Sequence, residues 1–85
     1  MYKVILSACG NIDHNENPYN NIVNYEIIEP CEVECSSIKE CQEAVLKYID
    51  DNNLGAGNWT GGDVTKNNKK VGYISYNGRF WEGTK

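Results

Sequence analysis

Apolar and polar side chains alternate along most of this chain, and in one stretch only does the spacing lengthen to three and four residues. From Tyr2 to Cys9, one side of an extended segment carries Tyr2, Val4, Leu6 and Ala8, while the other carries Lys3, Ile5, Ser7 and Cys9. That alternation predicts a first strand. Gly10 to Asn21 is dense in Asn and Gly and contains Asn17-Pro18, so it reads as a loop, long for a hairpin connection. Alternation resumes from Ile22 to Cys35, with Val23, Tyr25, Ile27, Cys31, Val33 and Cys35 on one side and Asn24, Glu26, Glu32 and Glu34 between them. Pro30 has no N–H to give a ladder, and Glu29-Pro30 interrupts the pattern. The segment is therefore expected to be either an edge strand or two short strands joined at a bulge.

The longer spacing follows. Ser37-Ile38-Lys39-Glu40 has the form of a capping box, in which the Ser hydroxyl accepts from the Glu40 amide and the Glu40 carboxylate reaches back to the Ser37 amide. Ile38, Cys41, Val45, Tyr48 and Ile49 make one apolar stripe with Leu46 at its margin, which predicts a helix over about 38–52. Gly55 is the expected left-handed residue at its end. Asn58 to Thr65 reads as a third strand loosened by Gly61-Gly62, and Lys66 to Lys70 as a basic turn.

Val71 to Glu82 then reads as a hairpin. Asn77-Gly78 is a favoured pair for a two-residue type I′ turn, since both positions need a positive φ. That turn would set Tyr76 opposite Arg79, Ser75 opposite Phe80 and Ile74 opposite Trp81. Ile74, Tyr76, Arg79 and Trp81 would share one face, and Tyr73, Ser75, Phe80 and Glu82 the other. The order β-β-α-β-β-β predicts one α+β domain over residues 1–85, a single helix packed across one face of a four- to five-stranded antiparallel sheet.

Composition narrows the chemistry. At 85 residues and 40% hydrophobic content the chain has room for one core. No apolar run approaches the roughly 20 residues of a membrane helix, and the first residues lack the form of a signal peptide, so no membrane association and a cytoplasmic setting are expected. The net charge of −4 is unevenly spread: residues 1–55 carry ten acids against Lys3, Lys39 and Lys47, and residues 56–85 carry two acids against five bases. Such a split steers partners differently to the two ends. Duplex nucleic acid is disfavoured by the acidic balance. Twelve asparagines with one Gln and one Arg suggest an AT-rich coding source, of the kind a mobile element has.

The four cysteines read as free thiols, three of them on apolar faces; a disulfide among Cys31, Cys35 and Cys41, or zinc, is the alternative. Their spacing lacks paired Cys-x2-Cys knuckles, so no metal is assigned. Asp13-His14-Asn15-Glu16 holds the sole histidine, and no nucleophile has an evident base, so neither an enzyme nor a cofactor is expected. Gly55-x-Gly57 with Gly61-Gly62 follows a helix where a phosphate cradle would precede one. Asn58-Trp59-Thr60 has the form of a glycosylation sequon.

What remains is a surplus of rings. Trp59, Tyr73, Tyr76, Phe80 and Trp81, with Arg79, exceed what a small core can hide and form the candidate contact patch, with a cation–π pair expected between Tyr76 and Arg79. Gly62-Asp63-Val64 followed by Ser75-Tyr76-Asn77-Gly78-Arg79-Phe80-Trp81 resembles the Gly-Asp-x-Val-x-Tyr-x-Gly-x-x-Tyr pattern of small chitin-binding modules, apart from the insertion Thr65–Ile74. That resemblance implies sugar binding on exposed rings. Glu26, Glu29, Glu32, Glu34, Glu40 and Glu43 form a candidate acidic surface that could imitate a nucleic-acid backbone. The favoured reading is a small non-enzymatic binding protein acting by protein–protein contact, such as an inhibitor from a mobile element. A nucleotide or carbohydrate binder using the C-terminal rings is the alternative, alone or as a homodimer.

Overall fold

A computed structural model describes residues 1–12, 15–17, 19–23 and 25–83. Its elements in chain order are β1 (Tyr2–Leu6), β2 (Ile22–Val23), β3 (Glu26–Ile27), β4 (Cys31–Cys35), α1 (Ile38–Asp51), β5 (Asp63–Lys66), β6 (Lys69–Ile74) and β7 (Phe80–Glu82). Five strands form one antiparallel sheet in the order β4-β1-β5-β6-β7, and β2 and β3 make a separate two-stranded ribbon. The α+β architecture with a helix on an antiparallel sheet is thus the one the residue pattern predicts.

The core forms where the two periodicities meet. Val4, Leu6, Cys35, Val64 and Ile74 from the sheet face Cys41, Val45 and Ile49 from α1, and all are buried. Fully burying a Val or Ile side chain contributes about 1.5–3 kcal/mol, so this seam supplies much of the driving force. Ile38 and Tyr48 sit half-buried at its border.

Both helix ends are satisfied, though not quite as the pattern suggested. Ser37 caps the start with extended φ of −150°, and its Oγ accepts from the Glu40 N–H at 3.2 Å. The Glu40 carboxylate accepts from the hydroxyl and N–H of Ser36, one residue earlier than a capping box requires. Those bonds hold the Glu40 carboxyl below its usual range. At the other end Asn53, not Gly55, is the left-handed residue, at φ 52°. Asn53 N–H then reaches Asp50 O at 3.2 Å and Leu54 N–H reaches Ile49 O at 3.0 Å, the paired bonds of a Schellman ending.

Two strand expectations are corrected. Tyr25 is left-handed (φ 65°), which reverses the chain and folds Ile22–Ile27 back on itself. Tyr25 and Ile27 therefore point to solvent; Val23 is buried as the stripe predicts, but the second buried residue of this region is Ile28, out of phase with it. Cys31, expected on the apolar face, is exposed where β4 begins. The predicted third strand starts late, at Asp63; before it, a 3-10 turn (Ala56–Asn58) leads to Trp59, which bridges Ala8 alone.

The last hairpin differs in register. Tyr73 pairs with Trp81 and Ile74 with Phe80, one residue away from the two-residue-turn pairing. Ser75 O accepts from Gly78 N–H at 2.8 Å, Ser75 N–H donates to Arg79 O at 3.0 Å, and Gly78 alone is left-handed, at φ 82°. This is the three-residue loop with a glycine bulge, not a type I′ turn. The positive-φ pair occurs one hairpin earlier, at Asn67 (54°) and Asn68 (64°), between Lys66 and Lys69.

Candidate interaction surface

The register decides which rings meet water. In β6, Gly72 and Ile74 face the helix and are buried, so Tyr73 between them faces the open side of the sheet. Its partner Trp81 shares that side. Each is 42% exposed. Their rings stack with centroids 6.5 Å apart and planes 15° from parallel. Arg79 lays its guanidinium over Trp81 at 4.2 Å, and the Trp81 indole N–H donates to Ser75 Oγ at 3.1 Å. The expected Tyr76–Arg79 pair is replaced by this one, because Arg79 and Trp81 lie together on the open side while Tyr76 packs against the core.

Trp59, Tyr76 and Phe80 lie on the helix side instead. Trp59 meets Tyr48 edge-on at 6.1 Å and donates its indole N–H to Ile74 O at 3.1 Å. Tyr76 donates its hydroxyl to Leu54 O at 3.0 Å. Phe80 lies across Gly72, where an added Cβ would come within 2.7 Å of the ring. The six predicted residues thus divide: Tyr73, Arg79 and Trp81 form one exposed cluster, while Trp59, Tyr76 and Phe80 border the core.

A second concavity was not visible in the residue pattern. Tyr2, Ile38, Val71 and Phe80 line a groove of about 450 Å³ with Lys66, Lys70 and Glu82 at its rim. Lys66 sits 5.1 Å over the Tyr2 ring, and Lys70 pairs with Asp63 at 3.2 Å. Val71 enters the groove because the β5–β6 pairing slips between Val64 and Thr65, leaving it unmatched. Such a bulge has no sequence signature here beyond Gly72.

The six glutamates are all exposed but divided. Glu34 and Glu32 pair with Lys3 and Ile5, on the open side of the sheet. Glu40 and Glu43 ride on α1, across the sheet from them; Glu40 is engaged with Ser36. Glu26 belongs to the ribbon, and the main chain of Glu29 accepts from Tyr48 Oη at 2.9 Å.

All four cysteines are free. Cys35 and Cys41 are buried together, and burial, reinforced by the Cys35 thiol, pushes Cys41 up to about 12. Among the described residues, no three His, Cys, Asp or Glu side chains converge as a metal would require, and no helix is long and apolar enough to cross a membrane. Asp13 and His14 lie outside the described residues. Asn58 of the sequon is buried, its amide spanning Cys9 O at 2.9 Å and the Gly55 N–H at 3.0 Å.

No protein-family model, curated protein or solved structure matches this chain. The two segments that resemble the chitin-binding pattern lie on β5 and β7, with β6, from the stretch that departs from the pattern, between them; Asp63, Tyr73 and Trp81 fall in one row across the three strands.

Proposed function

We propose that this chain is a non-enzymatic binding protein that acts by protein–protein contact through Tyr73, Trp81 and Arg79. The observation that carries the reading is the exposed Tyr73–Trp81 stack with Arg79 laid over it. Trp, Tyr and Arg are the side chains that most often anchor interfaces, and here little conformational entropy is left to lose on binding. Arg79 also covers a face of Trp81 on which a sugar or base would stack, which favours a protein partner over a planar ligand. The carboxylates of the first 55 residues would steer that partner from a distance. A cytoplasmic setting, free thiols and small size suit an inhibitor carried by a mobile element.

The test is capture from host lysate, followed by titration of the purified captured protein against variants. Trp81→Ala and Arg79→Ala are each expected to weaken binding by about tenfold or more, as anchors do. Undiminished binding by the Tyr73→Ala/Trp81→Ala double variant would remove the reading.

The groove beneath Phe80 favours a second reading, a small apolar ligand held against Tyr2, Ile38 and Val71. A ligand whose binding is abolished by Val71→Trp and unaffected by Trp81→Ala would establish it.

A further inference from the structure

The opposite margin of the sheet has unused bonding capacity. β4 is an edge strand, paired with β1 on its inner side only. Gly62 N–H donates to Ile5 O at 2.6 Å and Thr60 N–H to Ser7 O at 3.2 Å, so the odd residues of β1 direct their main-chain groups toward the β5 side. Bonding direction alternates along a strand, so Tyr2, Val4 and Leu6 direct theirs toward β4, where they face Cys35, Val33 and Cys31. Glu32 and Glu34 are left with N–H and C=O groups turned outward. Among the described residues nothing bonds to those groups, and both residues are exposed.

From this edge we infer that β4 accepts an extended basic segment of a protein partner as a sixth strand. Two donors and two acceptors on alternate residues are the template that β-augmentation uses. The side chains choose the occupant. Cys31–Cys35 carries no positive charge, and the Glu32 and Glu34 carboxylates share the open side of the sheet, where Lys3 of β1, 3.8 Å from Glu32, offsets only part of their charge. Lysines or arginines on an incoming strand would lie opposite them, and its intervening apolar residues would lie beside Val33. A second copy of this chain does not fit, because antiparallel pairing of β4 with itself about Val33 sets four carboxylates against one another. The inference does not rest on the ring surface, since β4 and β7 are opposite margins of the sheet.

The test uses the full chain and a short dye-labelled peptide alternating lysine and valine, followed by fluorescence anisotropy at low salt. Saturable binding is expected, weakened about tenfold or more when alternate peptide amides are N-methylated, since that removes ladder bonds and leaves the charge. Glutamates in place of the peptide lysines should abolish binding, and Glu32→Gln/Glu34→Gln should weaken it roughly threefold or more. Glu34→Pro, which deletes one outward N–H, should act like N-methylation, while Trp81→Ala should change nothing. Failure of the lysine–valine peptide to bind would overturn the inference. So would binding indifferent to N-methylation, or a dimer of the chain that Glu34→Pro dissolves.

Discussion

The two C-terminal hairpins share β6, and asparagine takes part in both turns, yet they close differently. Between Lys66 and Lys69 two residues suffice, Asn67 and Asn68, both left-handed and exposed. Between Ser75 and Arg79 the chain takes three residues, and only Gly78 is left-handed. The difference lies underneath. The first turn projects into water, where local preference decides. The second rests on α1: Gly78 is buried, and a Cβ there would lie 2.9 Å from Leu46 Cδ2. Tyr76 is tied by its hydroxyl to Leu54, just beyond the helix. Contacts from distant residues thus shift the register by one, and a one-residue shift exchanges the faces of every side chain in β7.

Gly78→Ala should cost the most, about 2–4 kcal/mol by urea unfolding, from the left-handed backbone together with the clash on Leu46. Repeating it in a Leu46→Ala background should recover part of that loss; an unchanged cost would mean that the helix does not shape this loop. Tyr76→Phe should cost about 1 kcal/mol by the same measurement, the worth of its bond to Leu54. Trp81→Ala should cost only about 0.5–1 kcal/mol, because its contacts lie on the open side, and a larger loss would place that ring in the structural framework. Asn68→Gly should be the mildest, neutral or stabilising by up to about 0.5 kcal/mol, since glycine suits a type I′ position. A loss above 1 kcal/mol there would erase the contrast between the turns.

What could be read from the residues alone follows the same division. The helix was legible because its signals are local: Ser37 three residues before Glu40, then a stripe from Ile38 to Ile49. The inward phase of β1 was legible because Val4, Leu6 and Ala8 alternate with Lys3 and Ser7, although Ile5 breaks the polar set and lies exposed on the other face. Asn77-Gly78 misled because its preferred turn competes with a contact to Leu46, which lies 32 residues earlier in the chain. Tyr25 misled for another reason: a bulky residue is rarely left-handed, so the reversal that ejects Ile27 from the core had no cue. The candidate surface was legible as an excess of rings but not as a membership, because membership depends on register. Tyr73, Arg79 and Trp81 came together only once the bulge had moved Trp81 and Arg79 to the open side.

The two tryptophans are wired to different parts of the molecule. Trp59 is half-buried and bonded to the main chain of Ile74, while Trp81 lies under a guanidinium at the surface. Intrinsic emission therefore contains two separable optical channels: a Trp81→Phe protein would report unfolding, and a Trp59→Phe protein would report what approaches the open side of the sheet.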